Sequence, residues 1–165
     1  MARRGATNLL WMVTVLVVLG ARAVSASPAA EVAAIHAVDD AWVKAYNSGQ
    51  VDGVANLYEE RAVLMPPGAP AASGRSAIRA FFAKDMAEAA KAGFSVSLGT
   101  DRDGGVSGDW GWSSGTFTVK DKTGKVVDAG KYLSVSRKIG GKWLYVRDTW
   151  NSDAPPAPQP APMKQ

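Results

Sequence analysis

The 165-residue chain contains no cysteine and a single histidine, His36. Without thiols there is no disulfide, no thiolate metal site and no lipidated cysteine, so an exported form must hold together by packing alone. A zinc centre would need three carboxylates beside the one histidine, and no H-E-x-x-H spacing occurs, so no metal is expected. A G-x-S-x-G elbow is also missing, and no motif pairs the histidine with a nucleophile, which argues against triad hydrolysis. Gly104-Gly105 and Gly140-Gly141 read as turns between strands, not as loops opening a helix; no phosphate cradle and no cofactor are expected.

An excess of charge is lacking as well. Removing residues 1–26 takes Arg3, Arg4 and Arg22 from the 19 basic side chains and none of the 15 acidic ones, leaving the remainder within one charge of neutral. No basic stripe survives to neutralise phosphates, so nucleic acid is not an expected partner. Long apolar runs are equally scarce. The longest, Leu9 to Leu19 with Thr14 inside it, rises only about 16 Å as a helix against a hydrocarbon core of roughly 30 Å. With the basic Arg3-Arg4 before it and the small residues Val24-Ser25-Ala26 after it, the segment reads as a signal peptide cleaved after Ala26. Gly5-Ala6-Thr7 does not continue a twin-arginine signal, so ordinary secretion to the periplasm or the medium is expected, with no stable membrane span after cleavage.

What is present begins at Ser27-Pro28, a cap and first turn for a helix that carries Ile35, Val38, Trp42 and Tyr46 at helical spacing. Asn47-Ser48-Gly49 ends it, and Asp52 caps a shorter helix with Val54, Leu57 and Tyr58. Ala62 to Met65 reads as a strand stopped by Pro66-Pro67-Gly68. A third helix runs from about Ser76 to Lys91, with Ile78, Phe81, Phe82 and Met86 on one side and Gly93 as its C-cap. Period-two alternation then takes over. Phe94, Val96 and Leu98 precede a turn at Asp101 to Gly105, followed by strands at Trp110–Val119, Val126–Lys138 and Trp143–Trp150. Helices first and an antiparallel meander afterwards predict an α+β domain over residues 27–152, its sheet covered on one face by the helices. Residues 153–165, rich in Pro and Ala, read as a disordered tail.

In the last strand Leu144, Val146, Asp148 and Trp150 share one face by parity, and Trp143, Tyr145, Arg147 and Thr149 the other. Asp148 among apolar neighbours is the candidate buried carboxylate: a general base, an anchor for a ligand, or an acceptor of structural hydrogen bonds from Trp42 or Tyr46. His36 and Asp40, one turn apart, read as a surface pair. Aromatic side chains exceed what one helix needs, and a pocket lined by Trp42, Tyr46, Tyr58, Trp110, Trp112, Tyr132 and Trp150 stands beside plain core filling as their explanation.

The series Trp42-Val-Lys-Ala-Tyr46-Asn-Ser-Gly49, Leu57-Tyr58, Ala62 to Gly68, Gly74-Arg75-Ser-Ala-Ile78, Gly130 to Leu133 and Trp143 to Asn151 resembles the SnoaL-like, ketosteroid-isomerase-related families of the nuclear transport factor 2-like superfamily. The resemblance covers nearly all of residues 31–151. It implies a cone, in which a strongly curved antiparallel sheet wraps over three helices around an apolar pocket, usually in a homodimer. It also implies that an isomerase base would stand at Met65 and a second acid between Tyr132 and Arg137; neither place holds one. The helix-one tyrosine of the isomerases falls near Trp42. The resemblance to the closing Asp-x-Trp-Asn pattern adds Asn151 to Asp148, and Met65 joins the expected ligand contacts. The expected function is an exported domain binding a small apolar or amphipathic molecule. The alternatives are an isomerase, cyclase or dehydratase with Asp148 as acid or base and Tyr46 or Tyr58 as donor, and a dimerisation module with no ligand. Export from a competent host should yield a chain starting at Ser27 by intact-mass measurement; retention of residues 1–26 in the secreted fraction would overturn the signal-peptide reading.

Overall fold

The structure, a computed structural model, describes residues 26–154. The expected signal peptide, apart from Ala26, and the expected tail beyond Ala154 lie outside those residues. Helix α1 (Pro28–Asn47) starts where the sequence predicts: the Ser27 side chain accepts the Ala30 N–H, and Pro28 needs no intrahelical donor. Helix α2 (Val51–Ala55) is one turn shorter than expected. Tyr58 leaves it to open strand β1 (Tyr58–Met65) and is fully buried. Tertiary pairing overrides helical spacing here, because Tyr58 lies opposite Tyr145 of the last strand. Strand β2 (Ala72–Ser73) caps the edge of β1, and α3 (Arg75–Ala92) ends on Gly93 in the left-handed conformation, φ +71°, that favours glycine. Among the described residues, no helix is long and apolar enough to cross a membrane.

The remaining strands are β3 (Ser95–Leu98), β4 (Asp103–Ser107), β5 (Trp110–Lys120), β6 (Val126–Ile139) and β7 (Lys142–Ser152). They form a curved, open sheet in the order β2-β1-β7-β6-β5-β3, with β4 on β5 beside β3. The expected antiparallel meander holds for β5, β6 and β7, but β1 joins β7 in parallel, Leu64 opposite Asp148. The expected turn at Asp101–Gly105 also needs correction. β3 covers only the second half of the long β5, and Asp103–Ser107 pairs with the first half. Gly104 and Gly105 are therefore strand residues. A Cβ on Gly104 would lie 3.1 Å from both His36 and Val32 of α1, so the glycine lets helix and strand close together.

The core forms where α1, α2 and α3 meet the concave side of β1 and β7. Val54, Tyr58, Leu64, Ile78 and Phe82 are essentially inaccessible there, and Trp42, Tyr46 and Phe81 pack against them. At the far end of the cone, β6 and β7 approach so closely that a Cβ on Gly130 would come within 2.1 Å of the Asn151 carbonyl oxygen and 2.8 Å of the Phe117 ring. Backbone cannot yield as a side-chain tip would. Gly130→Ala should cost about 1–3 kcal/mol of stability, read as a lowered urea midpoint; an unchanged midpoint would show that the strands separate there freely.

Candidate functional site

The site is set by an irregularity in β7. Opposite β6, Val135 faces Arg147 and Ser136 faces Tyr145, so Val146 is an extra residue with no partner. Such a bulge reverses parity on one side of itself. Tyr145 and Asp148, three residues apart, consequently both point into the concave side, where parity alone puts them on opposite faces. Trp143 turns inward with Tyr145 and donates its indole N–H to Glu31 of α1 at 2.8 Å. Leu144 joins the outer face opposite Arg137.

Between the helices and the concave sheet lies a cavity of about 640 Å3. Apolar side chains dominate its outer part, Phe94, Val96 and Leu98 with Val127 and Trp150, and Asp85 and Glu88 stand at the rim. Trp42 and Tyr46 stack at 4.9 Å between ring centres and form the helical wall. Two buried carboxylates sit at its inner end. Asp148 accepts the Tyr58 hydroxyl at 2.5 Å on Oδ2 and the Ser134 hydroxyl at 2.7 Å on Oδ1. The Trp42 indole N–H in turn donates to the Tyr58 hydroxyl oxygen at 3.1 Å. Asp39 of α1 accepts Tyr145 at 2.6 Å, Ser113 at 3.0 Å and Tyr132 at 3.2 Å.

Burial pushes both carboxyls above the ordinary value of 3.8, and the hydroxyl bonds oppose it; the charge of Asp39 raises Asp148 further. Burial likewise raises Tyr58 and Tyr145 well above 10.0, with neighbouring carboxylates adding to the effect. These phenols therefore remain protonated donors at neutral pH. The cluster can hold and orient a polar ligand atom, and its carboxylates can accept a proton. Among the described residues, no group of three His, Cys, Asp or Glu side chains is placed to hold a metal ion.

Of the expected site residues, the structure brings together Trp42, Tyr46, Tyr132, Asp148 and Trp150 around the cavity. Tyr46 gives its hydroxyl to Asp85 at 2.6 Å, not to Asp148. Tyr58 lies behind the wall, fully buried, and acts on the site through Asp148. Trp110 and Trp112 alternate with the inward Gly111 and Ser113 of β5 and stand on the outer face, 50% and 37% exposed. Met65 is on that face too, opposite Thr149, and Asn151 pairs opposite Lys131 and is exposed. None of these four lines the cavity. The expected His36–Asp40 pair is replaced by an Asp40–Arg102 ion pair at 2.6 Å, while His36 bonds the Asp103 carbonyl at 3.3 Å. Sequence reasoning missed Asp39, Tyr145 and Ser134. Asp39 carried a readable signal: it stands four residues after Ile35 and three before Trp42, an acid on the buried stripe.

The model of the SnoaL-like domain family matches residues 40–146. The chain belongs to this family. The SnoaL-like domain matches no curated protein. Solved structures agree on the fold. A ketosteroid isomerase-like protein from Erwinia carotovora atroseptica is 27% identical, with 76% of this chain and 98% of that one covered at a TM-score of 0.57. An NTF2-like protein with a cystatin-like fold from Novosphingobium aromaticivorans is 20% identical, covering 72% and 79% at 0.65. A cystatin-like domain of unknown function from Nostoc punctiforme is 19% identical, covering 79% and 82% at 0.68. The cone that the sequence resemblance implies is thus the fold of this SnoaL-like domain.

Because Asp148 is raised in the folded state, the fold retains its proton where the unfolded chain has released it. Its stabilising contribution is fully present below the ordinary carboxylate range and is lost as pH rises through the raised value. Glu31, Asp52, Asp101 and Asp121, which hydrogen bonds hold below their ordinary values, act in the opposite sense but are common to wild type and variant. The stability difference between wild type and Asp148→Asn should therefore shift in favour of wild type as pH falls from neutral to about 4, then level off. A difference independent of pH, measured by urea unfolding, would mean that Asp148 titrates alike in both states.

Proposed function

We propose that this SnoaL-like domain is an exported, homodimeric binding protein that holds a small, largely apolar molecule inside its cone. The cavity carries the reading. A volume of about 640 Å3 lies within the roughly 300–1,000 Å3 common for small-molecule sites, and aromatic walls over a few fixed polar groups are the usual lining. The dimer rests on the outer sheet face, where Met65, Trp110, Trp112 and Leu133 are 37–50% exposed and would be covered by a second copy.

A catalytic reading has one observation in its favour, the raised Asp148 carboxyl touching the Tyr58 hydroxyl. A general base must release those bonds, or use a remaining lone pair, to meet a substrate proton. The isomerase-type base position, Met65, stands outside the cavity. Binding needs neither a rearrangement nor a further residue, and it is the reading preferred.

Native mass spectrometry of the exported protein tests these points together. The expected result is a dimer mass with one small molecule retained per chain, the molecule being lost in Ala89→Trp, which fills the cavity from α3. Asp148→Asn should weaken its binding roughly 10- to 100-fold, as for loss of a charged hydrogen-bond partner. A monomer with bound molecule would remove the dimer alone. A persistently empty protein that also gives no thermal shift across an apolar compound library would remove the binding function.

A further inference from the structure

The acids around the cavity differ from acids elsewhere in the domain. On the outside, Glu31 pairs with Lys138, Asp40 with Arg102 and Asp52 with Arg79. Five acids line the cavity: Asp39, Asp85, Glu88, Asp128 and Asp148, with no Lys, Arg or His among the lining residues. Glu88, at the exposed rim, is bridged to Lys91. Among the described residues the other four make no ion pair; their bonds come from tyrosine and serine hydroxyls and, for Asp128, also from the Ala129 N–H.

Neutral donors satisfy the lone pairs of a carboxylate and leave its charge in place. Arg102 comes near: it bonds Asp40 and the His36 carbonyl, and its charge interacts with Asp39. It is not among the groups acting on Asp148, whose charged neighbour is Asp39. The Asp148 carboxylate is thus left with no cation of the protein beside it. The rings of Trp42, Tyr46 and Trp150 line its walls, and aromatic rings attract a cation more readily than an anion. Cavity, rings and unpaired carboxylates converge on one ligand chemistry.

We propose that the cavity selects a cation on an apolar body, a protonated amine or quaternary ammonium, with its charge toward Asp148 and its hydrocarbon against Phe94, Val96 and Val127. The proposal rests on the binding function above and adds the sign of the ligand's charge. A carboxylate of the same shape meets only repulsion. A neutral alcohol can hydrogen-bond at the inner end but gains nothing from the charge.

Three molecules of matched shape separate these cases: 4-phenylbutylamine, 4-phenylbutan-1-ol and 4-phenylbutanoate, titrated into the mature protein at neutral pH and followed by tryptophan fluorescence and calorimetry. The amine should bind at least about tenfold more tightly than the alcohol, and the carboxylate most weakly. Asp148→Asn should shrink the gap between amine and alcohol, weakening the amine by a clearly larger factor than the alcohol. If that variant does not fold, Asp85→Asn, at the half-buried mouth, should shrink the same gap by a smaller factor. Equal binding of amine and alcohol, or tightest binding of the carboxylate, overturns the charge selection and leaves the binding function standing. Failure of all three at millimolar concentration overturns the selection too. The binding function falls only if native mass spectrometry and the compound library also find the cavity empty.

Discussion

One unpaired residue, Val146, governs what faces the inside of the cone. Without it, β7 would alternate regularly and could send Tyr145 or Asp148 inward, but not both. With it, Tyr145 reaches Asp39 on α1 and packs beside Tyr58, while Asp148 two positions past the bulge meets Tyr58 and Ser134. The helix layer, the parallel strand β1 and the meander are tied together through these two inward side chains. A bulge bends its strand and sharpens the local twist, so the feature that reverses parity also helps a long sheet to curl over the helices. Curvature and polar chemistry thus share one cause.

The inner end is held by hydroxyls, and that choice has energetic consequences. Burying an ionised carboxylate with a partner missing costs several kcal/mol. Each hydroxyl to carboxylate bond returns about 1.5–3 kcal/mol, so Asp39 with three such donors and Asp148 with two are tolerated without being strongly stabilising. An arginine in place of Tyr132 or Ser134 would neutralise the charge and fill the space. Serines and tyrosines instead leave the cavity open and its carboxylates ionisable. Stability alone does not call for two acids within electrostatic reach of each other under a sheet, since apolar residues of like volume would pack there at lower cost. Their presence accords with the occupant proposed above.

Much of this was legible in the chain itself. The three helices and the meander of the long strands β5, β6 and β7 follow from spacing and alternation, and apolar neighbours mark Asp148 as a candidate buried carboxylate, because long periodic segments carry their own pattern. The losses are equally physical. Tyr58 continues a helical pattern and becomes a strand because its partner, Tyr145, is about ninety residues away. Tyr145 itself was assigned to the wrong face because a bulge leaves no mark in a run of strand formers. Gly104 and Gly105 suggest a turn by composition and lie in a strand because α1 packs close to them. Trp110 and Trp112 were expected in the pocket and stand outside it, because nothing in β5 says which face is covered by helices. Asp39 is the exception, an acid on the apolar stripe that spacing exposes without any knowledge of the sheet.

Whether Asp148 accepts protons from a ligand or only attracts it turns on the order of its hydrogen bonds. The Trp42 indole donates to Tyr58 and Tyr58 donates to Asp148, so the chain of donors runs toward the carboxylate and strengthens its acceptor end. Burial raises the pKa of Asp148 while these donors lower it. A general base benefits from the first effect and is blunted by the second, whereas a fixed anion benefits from the donors, which favour its ionised form and hold it in place. Tyr58, fully buried, cannot leave the carboxylate to serve a substrate without opening the core around Phe82 and Tyr145. The arrangement is therefore built to hold a charge still, and a group held still in this way recognises a partner more readily than it exchanges protons with one.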